Sequence, residues 1–387
     1  STARSEVMKS ISFTCWIMPQ DLPALNENSG IDKSNDTKWI IKPAGESGGH
    51  GIVVKKGISE LKDFVLRKRR DRFVVQPFMH NPLLINGRKF DLRVHVLVTS
   101  VSPMRVYVHS MGIVRQAYST YDQNATRGGK RSQFLTNLSV NKKLAETDDL
   151  TWTFQEFGDF LNANLSTHFQ ATDTSEIFFA RVDDAIAKVL VASEAKFEKL
   201  YAEKNGANFS CSKCFQPLGV DILVDDDMNP HVMEINTNPT MNFKAEKIDI
   251  SCSRFQNDIG ELLFSIGPQM ESLRQKLTVI EERRSSAGDK LATPGFDWLS
   301  EKELHYLLSL EAEQKQMGGF RLAYPPTSAA VAPQKQREWS NYFKHIQSHS
   351  GRLRFHSLLV ELQALRVENC KQKGLECSQG ISTIRKT

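Results

Sequence analysis

The sequence predicts an α+β fold in which antiparallel hairpins alternate with helices. Two pairs of apolar runs carry this prediction. The runs 218–224 and 231–237 flank an acidic turn at 225–230, whose Asp, Asn and Pro residues favour a reversal of the chain. The longer runs 90–101 and 104–109 mostly alternate between faces and flank a Ser-Pro pair. Each pair therefore predicts two antiparallel strands joined by a short connection.

The strand and helix signals divide the chain into three parts. Residues 1–37 are interpreted as a connecting segment, and residues 38–265 as the α+β core. Residues 266–387 contain helical patterns separated by a proline- and alanine-rich stretch, so we predict a helical extension there. A chain of 387 residues is long enough for two or three domains of ordinary size.

Composition indicates a soluble globular protein of a reducing compartment. Hydrophobic residues make up 40% of the chain and charged residues 25%, which are ordinary values. No stretch approaches the roughly 20 consecutive apolar residues that cross a bilayer. The six cysteines form no regular framework, and we interpret Cys211 and Cys214 as ordinary thiols in preference to half of a zinc site. A cytoplasmic location is therefore expected.

The net charge of +5 is distributed unevenly along the chain. Residues 321–387 contain eleven Lys and Arg residues and four Glu residues, a balance of +7 that leaves about −2 for the rest. A basic extension on a near-neutral body suggests docking on a long acidic partner. The alternative is a solvated extension that has no partner.

The hairpin at 218–237 carries three oxygen-bearing side chains that suit a hard cation. Side chains alternate along a strand, so Glu234 and Asn236 share one face, and reversal of the chain brings Asp221 level with Glu234. Apolar residues flank all three positions. Two carboxylates and an amide oxygen suit Mg²⁺, which proteins usually hold with one or two carboxylates and substrate phosphates. The alternative is a surface hairpin whose acidic residues face water.

A glycine-rich turn at 45–51 joins two short apolar strands. Its Gly48, Gly49 and Gly51 permit backbone angles closed to other residues and let amides approach phosphate oxygens. No Gly-Lys-Ser/Thr sequence follows, so the turn is not a P-loop. Lys42 lies at the end of the first strand, where a lysine among apolar residues needs an anionic partner such as phosphate. The turn therefore predicts a cover for a triphosphate, with a plain hairpin as the alternative.

Further polar residues follow two buried strands. Lys89, Asp91 and Arg93 share one face of a strand whose other face is apolar, which predicts a polar cleft or, alternatively, a solvent-facing sheet. Arg115 adds a cation just past the next strand. The segment 76–79, Gln-Pro-Phe-Met, ends a strand where backbone groups and an apolar side chain suit an adenine ring. These cations, carboxylates and glycines, without a recognisable protein nucleophile, indicate phosphoryl transfer.

Four segments, at 39–51, 74–98, 135–137 and 214–238, together resemble the tubulin tyrosine ligase-like family, a branch of the ATP-grasp superfamily. The second segment is the most specific, and its Gly-Arg-Lys-Phe-Asp-Leu-Arg run is closer to glutamate-adding than to glycine-adding members. The resemblance implies an ATP-grasp fold, in which two α/β subdomains sandwich ATP, followed by the helical, basic extension. It also implies that the small N-terminal domain of the family is largely absent ahead of this chain.

The resemblance implies ATP-dependent amide bond formation. ATP would phosphorylate an acceptor carboxylate, and the amine of an incoming amino acid would displace phosphate from the acyl phosphate. Arg93 and Arg115 would orient the reacting carboxylates and stabilise the acyl phosphate, while Arg115 and Ser139 would hold the amino acid. The implied Mg²⁺ ligands are Asp221, Glu234 and Asn236, and the implied ATP contacts are Lys42, Ser47, Gly48, Gly49, Gly51, Gln76, Pro77, Phe78, Met79, Lys89, Asp91, Thr136 and Asn137.

The implied reaction adds glutamate to carboxylates of glutamates in tubulin C-terminal tails. Tubulin or microtubules and free glutamate are then the expected partners, with no nucleic acid or membrane. The expected location is the cytoplasm and cytoskeleton, including a cilium, axoneme or basal body. His50, Phe134 and Leu138 depart from the family pattern of Arg or Lys, His and an aromatic residue, and the last two bear on the amino-acid site. The alternatives are an inactive microtubule-binding relative, and a ligase that adds another amino acid or uses a non-tubulin acidic acceptor.

Overall fold

A computed structural model gives the architecture of the chain. It describes residues 11–27, 37–46, 48–68, 71–122, 131–137, 146, 148–166, 173–205, 214–241, 245–264, 270–286, 299–326, 339 and 350–372. The strands are β1 (Trp16–Met18), β2 (Lys38–Pro43), β3 (Val53–Lys56), β4 (Phe73–Pro77), β5 (Leu84–Ile85), β6 (Arg88–Val101), β7 (Met104–His109), β8 (Ile113–Gln116), β9 (Thr151–Thr153), β10 (Gln216–Val224), β11 (Pro230–Asn236) and β12 (Phe320–Tyr324).

The α-helices of the described residues follow the same chain order. They are α1 (Leu22–Glu27), α2 (Gly57–Arg67), α3 (Arg131–Phe134), α4 (Phe154–Asn164), α5 (Thr174–Ala192), α6 (Glu194–Asn205), α7 (Glu246–Leu263), α8 (Met270–Ser286), α9 (Glu301–Glu313) and α10 (Ser350–Gln372). With two antiparallel sheets among them, the structure confirms the mixed helix and strand composition that the sequence predicts. No helix among the described residues combines the length and the apolar character needed to span a bilayer.

The smaller sheet has four antiparallel strands in the order β1-β4-β2-β3. One face packs on α2, whose Leu61 and Val65 are one turn apart and both buried. They meet Trp39 and Val75 of the sheet in a separate hydrophobic cluster. Part of the predicted connecting segment 1–37 therefore belongs to this sheet, because β1 pairs with β4 along its edge.

The larger sheet has eight strands, with β11-β10-β6-β7-β12 as its central order. Helices cover both of its faces. Side chains on alternate positions of a strand point to opposite sides and therefore pack against different helices. Val96 and Val108 pack towards α4 and α5 in one cluster, while Leu97 and Tyr107 pack towards α7, α8, α9 and α10 in another. Lys89, whose position has the same parity as Leu97, belongs to the face that carries this second group of helices.

The strand β12 connects residues beyond the expected boundary at 265 with the larger sheet. Phe320 of β12 pairs with His109 of β7, and β12 lies in the same sheet as the residues of the core. Helices α8, α9 and α10 also contribute to the hydrophobic cluster that covers this sheet. The described residues on the two sides of position 265 therefore share one hydrophobic core, and the domain boundary expected there stays a prediction.

A buried polar network attaches α9 to the sheet. The Arg105 guanidinium donates from Nη2 to Glu313 Oε1 at 2.8 Å, and the Tyr107 hydroxyl donates to Glu313 Oε2 at 2.8 Å. Arg105 and Glu313 are 208 residues apart in the sequence. Removing one partner would leave a buried charge unpaired, so this network makes α9 an integral part of the fold.

Two expectations about individual side chains need correction. Arg321, counted above with the basic extension, is half-buried, and its guanidinium donates to both carboxylate oxygens of Asp183 at 2.8 Å. Its charge is therefore already paired within the fold. Cys214, expected to be an ordinary thiol, is disulfide-bonded, whereas Cys15 and Cys252 are free.

Candidate functional site

A cavity of about 810 Å³ opens between the two sheets. Strands β2 and β4 of the smaller sheet line one side, and β6, β8, β10 and β11 of the larger sheet line the other. The predicted site residues that line it are Lys42, Gly48, Gly49, Gln76, Pro77, Phe78, Met79, Lys89, Asp91, Arg93, Arg115, Thr136, Asn137, Asp221, Glu234 and Asn236. The structure therefore brings together, in one cavity, residues that lie nearly 200 positions apart in the sequence.

The β10–β11 hairpin has the register that the sequence predicts. Asp221 is directly opposite Glu234, and Gly219 is opposite Asn236. The Asn236 Nδ2 group donates to the Gly219 carbonyl and to Glu234 Oε1, each at 3.3 Å. Glu234 is exposed to the open cavity, yet the surrounding protein and the nearby Asp221 carboxylate raise its pKa. Two carboxylates therefore lie close together on this hairpin.

The Asp221 carboxylate is already paired with two cations. Arg93 donates to it from both Nε and Nη2, and Arg115 Nη2 lies 2.9 Å from Asp221 Oδ2. Burial of Asp221 would raise its pKa, but Arg115 and Arg93 overcome that effect and hold the pKa well below its ordinary value. Asp221 is thus a permanently charged carboxylate at the working pH of any ordinary protein.

A second acidic group, Asp91, completes this network. The Arg115 Nε group donates to Asp91 Oδ1 at 2.6 Å, and the Thr136 hydroxyl donates to Asp91 Oδ2. Burial disfavours the Arg115 charge, but Asp221 and Asp91 raise the pKa of Arg115 above its ordinary value. Asp91 is opposite Arg115 in the β6–β8 ladder, just as Asp221 is opposite Arg93 in the β6–β10 ladder. Strand register therefore fixes all four charges.

The sequence predicts that Asp221, Glu234 and Asn236 hold a metal ion, and the structure shows that arginines already pair with Asp221. No group of three His, Cys, Asp or Glu side chains that could hold a metal occurs among the described residues. Asp221 has two guanidinium partners because opposite charges face each other across neighbouring strands. Glu234, whose raised pKa reflects both burial and the Asp221 charge, remains a site that a cation would stabilise in its charged form.

Two lysines lie on the floor of the cavity. Burial lowers the pKa of Lys42, although the Glu234 and Asp221 carboxylates across the cavity counteract it. Burial also lowers the pKa of Lys89 to about 8, against the opposing effect of Asp91. The Lys89 ammonium lies 4.7 Å from the centre of the Phe78 ring. Both ammonium groups are desolvated, and an anionic ligand in the cavity would stabilise their charged forms.

Phe78 is part of an aromatic group at one end of the cavity. Its ring packs edge-on against Phe134 at 5.7 Å, and Phe134 packs against Tyr121 at 6.3 Å. Phe134 therefore lies beside the residue that the sequence analysis assigns to adenine. The expectation that Phe134 bears on the amino-acid site stays a prediction.

The glycine-rich turn between β2 and β3 has the backbone geometry that its sequence predicts. Gly48, Gly49 and Gly51 have φ angles of 62°, 78° and 68°, a region that favours glycine. A Cβ at Gly51 would lie 2.8 Å from Pro43 Cγ, so Gly51 serves the fold of the turn, and it does not line the cavity. Ser47, Leu138 and Ser139 lie outside the described residues.

Two residues of the cavity region were missed by the sequence analysis. Gly219 is opposite both His95 and Asn236, and a Cβ there would lie 3.2 Å from Arg93 Cδ. The missing side chain thus gives Arg93 room to reach Asp221. His95 lines the cavity and stacks on Phe255 at 4.8 Å, and burial lowers its pKa to about 3. Its place two residues after Arg93 on the same strand was the available signal.

The fold and the site define a class of protein: two antiparallel sheets that enclose a cavity lined by paired arginines, buried lysines and carboxylates. The sequence matches the Tubulin-tyrosine ligase family over residues 2–264, and the chain belongs to this family. The matched segment ends next to the boundary expected at residue 265. The resemblance stated from the sequence is therefore confirmed.

Several curated relatives match most of this chain. The chain is 33% identical over 254 residues to human tubulin monoglutamylase TTLL4, which covers 63% of this chain and 20% of the relative. It is 27% identical over 359 residues to mouse tubulin polyglutamylase TTLL6, covering 90% and 41%. It is 28% identical over 352 residues to human tubulin polyglutamylase TTLL7, covering 82% and 38%. The chain thus spans less than half the length of these relatives.

Proposed function

We propose that the chain is the catalytic core of an ATP- and Mg²⁺-dependent ligase of the ATP-grasp type. It would add glutamate to the carboxylates of glutamates in tubulin C-terminal tails, through an acyl phosphate. Membership of the family and the names of the relatives, which are tubulin monoglutamylases and polyglutamylases, support the acceptor and the amino acid. The paired arginines at the centre of the cavity are the observation that carries the proposal.

The nucleotide would lie between the two sheets. Lys42 and Lys89, whose desolvated ammonium groups need an anion, would contact the phosphates. The amides of the glycine-rich turn, with Gly48 and Gly49 in left-handed conformations, would cover them. The edge of β4 at Gln76, with the neighbouring Phe78 ring, would accommodate adenine. The Thr136 hydroxyl, held by Asp91, and the adjacent Asn137 would complete the nucleotide contacts.

The hairpin residues fit a divalent ion if Asp221 shares its charge between the ion and the arginines. Asp221, Glu234 and Asn236 would hold Mg²⁺, because two neighbouring carboxylates and an amide oxygen match its preferred ligands. Mg²⁺ would supply charge neutralisation at the phosphates. Mg²⁺ bound at the hairpin would offset the negative charge of Asp221 that raises the Glu234 pKa, so any proton on Glu234 would be released when the ion binds.

The reaction needs two successive displacements. In the first, an oxygen of the acceptor carboxylate attacks the γ-phosphorus, the bond to the bridging oxygen breaks, and ADP leaves. In the second, the amine of glutamate attacks the acyl carbon, phosphate leaves, and the nitrogen loses a proton to solvent. Arg93 and Arg115 would stabilise the negative charge that develops in both steps, because their orientation is fixed before substrate arrives.

The amino acid would bind near the same pair of arginines. Arg115 pairs with both Asp91 and Asp221, and we assign it to the substrate carboxylate. Ser139 is retained as a further candidate for this subsite. A carboxylate ligand suits a guanidinium because the two groups form parallel hydrogen bonds of favourable geometry.

Basic residues beyond β12 would attach the enzyme to the acidic surface of microtubules. The net charge of residues 321–387 is +7, and it becomes +6 when Arg321, which is paired with Asp183, is left out. Such an attraction is long-ranged at low salt and is screened at high salt. The implied location is the cytoskeleton, and a cilium, axoneme or basal body is the most specific form of this proposal.

A second candidate function is microtubule binding without ligation. Phe134, which packs on Phe78, and His50, which lies on the turn that covers the cavity, are the departures that favour it. A third keeps the chemistry and changes the amino acid or the acidic acceptor. These candidates differ in what is transferred, and one experiment separates them.

The test is mass spectrometry of tubulin tails after incubation of microtubules with the purified chain, ATP, Mg²⁺ and labelled glutamate. Incorporation of glutamate onto tail glutamates is the expected result. Parallel reactions with glycine, tyrosine and an acidic non-tubulin protein test the third candidate. Cosedimentation with microtubules but no incorporation of any amino acid would favour the inactive relative.

A further inference from the structure

The turn that covers the cavity carries two titratable side chains. Glu46 and His50 are the only such residues between Ala44 and Ile52, and both line the cavity. His50 is exposed and stands between Gly49 and Gly51, which both have left-handed backbone conformations. A neutral imidazole leaves this turn with a net charge of −1 from Glu46, and a protonated imidazole makes it neutral.

The charge of the turn matters because the other cations that line the cavity are either paired with carboxylates or buried. Arg93 and Arg115 pair with Asp91 and Asp221, a set of four charges that sums to zero. Lys42 on β2 and Lys89 on β6 lie on the floor, and Glu234 on β11 adds a further negative charge. His50 is therefore the side chain of the glycine-rich turn that could bring a positive charge to a polyphosphate.

We propose that His50 contacts a phosphate of the bound nucleotide and takes up a proton when the nucleotide binds. This inference rests on the proposed function, because it needs a nucleotide polyphosphate in the cavity. An adjacent phosphate favours the charged form of an imidazole. By linkage, a ligand that favours the protonated form binds more tightly as the pH falls. The turn is thus a proton-sensitive cover for the phosphates.

The test is isothermal titration of ATP with Mg²⁺ into the full chain. Measurements in buffers of different ionisation enthalpy at neutral pH give the number of protons taken up, and a series from pH 8 to pH 6 gives the affinity. We expect the wild type to take up more protons than His50→Gln. The ratio of wild-type to His50→Gln affinity should rise by roughly three- to tenfold as the pH falls, since a charge-assisted hydrogen bond replaces a neutral one.

The nucleotide and every other residue titrate in both proteins, so their effects cancel in the ratio of wild-type to variant affinity. His50→Lys keeps a permanent charge at the same position, so its affinity relative to His50→Gln should be high and constant over this range. His305→Gln is the matched control, because this histidine of α9 is 67% exposed and does not line the cavity. It should behave as the wild type in both measurements.

Equal proton uptake by the wild type and His50→Gln, with parallel affinity curves, would overturn the assignment of His50 while leaving the nucleotide site in place. Failure of the wild type to bind ATP at every pH would overturn the proposed function and this inference together. The two failures are therefore distinguishable in a single set of titrations, without a measurement of ligation.

Discussion

Arg93 and Asp221 are directly opposite each other in the β6–β10 ladder, and the Arg93 guanidinium donates to both oxygens of the Asp221 carboxylate. This side-on pairing uses Nε and Nη2 of Arg93. The remaining nitrogen, Nη1, is the group that we assign to the oxygens of an acceptor carboxylate or an acyl phosphate. Arg93 would thus act as a rigid donor, because Asp221 fixes its plane before substrate binds.

Gly219 should control the position of Arg93. In Gly219→Ala the new Cβ would lie 3.0 Å from Pro239 Cβ and 3.2 Å from Arg93 Cδ, so the Arg93 side chain must shift by a few tenths of an ångström. We expect ligation to fall by about ten- to a hundredfold, because misplacement of a positioned group on this scale is costly. Steady-state rates of glutamate incorporation measure the effect.

The matched control is Gly260→Ala in α7, where a Cβ would meet nothing within 4 Å. Alanine favours a helix interior over glycine by about 0.5–1 kcal/mol, so this variant should be slightly more stable and equally active. Equal activity of both alanine variants would contradict the role assigned to Gly219.

Glu234 should be needed for ligation and dispensable for folding. Glu234→Gln removes a charge that the surrounding protein already disfavours, so the melting temperature should change little or rise. Ligation should fall by at least about a hundredfold if the carboxylate holds Mg²⁺, as expected for loss of an interaction at the phosphates. The control is Asp226→Asn, an exposed residue in the turn of the same hairpin, which should retain full activity. Normal turnover by Glu234→Gln would exclude its metal role.

Asp258 should make stability depend on acidity. Its carboxylate accepts hydrogen bonds from the Gly319 amide at 2.7 Å and pairs with His109 Nε2 at 3.0 Å. Burial would raise the pKa of Asp258, but these contacts overcome it and lower the pKa below its ordinary value. A depressed carboxyl pKa stabilises the fold above the unfolded value of about 3.9, and this stability is lost as the pH falls through the folded pKa.

Asp258→Asn should therefore lower the free energy of unfolding by about 2 kcal/mol at neutral pH, a typical cost for weakening a buried charged hydrogen bond. The difference from the wild type should shrink as the pH falls below about 4. Urea unfolding of both proteins between pH 7 and pH 3 measures it. A difference that stays constant with pH would show that the Asp258 charge is not involved.

A chain that ends at residue 264 should fold poorly. Truncation there removes β12 from the sheet, exposes the edge of β7, and uncovers Leu97 and Tyr107. Exposed edges and apolar patches of this kind favour aggregation. We expect little soluble protein and no cooperative thermal transition, whereas the full chain should be soluble and should unfold in a cooperative transition. A soluble residue 1–264 fragment with the wild-type melting temperature would contradict the shared core.

Microtubule docking is best tested by substitution, because deletion from Arg321 would disrupt the sheet. Replacing Lys335, Arg337 and Lys344 by Gln removes three positive charges from the basic segment beyond β12. Cosedimentation with microtubules should weaken several-fold at low salt and converge with the wild type at high salt, since salt screens such attractions. Affinity for ATP should be unchanged.

The control removes the same charge from α6, through Lys196, Lys199 and Lys204, which are exposed. This triple variant should cosediment as the wild type does if docking depends on the basic segment and not on net charge alone. Equal weakening of the two triple variants would show that the attraction is unspecific.

The sequence predicts the local geometry of the site well, because that geometry follows from strand periodicity. Asp221 and Glu234 are opposite each other as expected, since only five residues separate β10 from β11 on the two sides of a short turn. The buried face of Lys89, Asp91 and the following residues was likewise visible as alternation. For these elements, sequence neighbours are also spatial neighbours.

The pairing of Asp221 with Arg93 could not be predicted in the same way. It depends on the placement of β10 beside β6, which no local pattern encodes. The same reason explains why β12 was missed: five residues with helices on either side give a weak strand signal, and their partner is a distant strand. Gly219 was missed because its role is to leave room for the side chain of Arg93, which lies on a different strand.

The pairing of β12 with β7 also has a consequence during synthesis. On a ribosome, β7 emerges long before β12. Arg105 can pair with Glu313 only after 208 further residues have been synthesised. Contacts of such long range slow folding and leave apolar surface uncovered meanwhile. We therefore expect the nascent polypeptide to depend on chaperones until its last helices have left the exit tunnel.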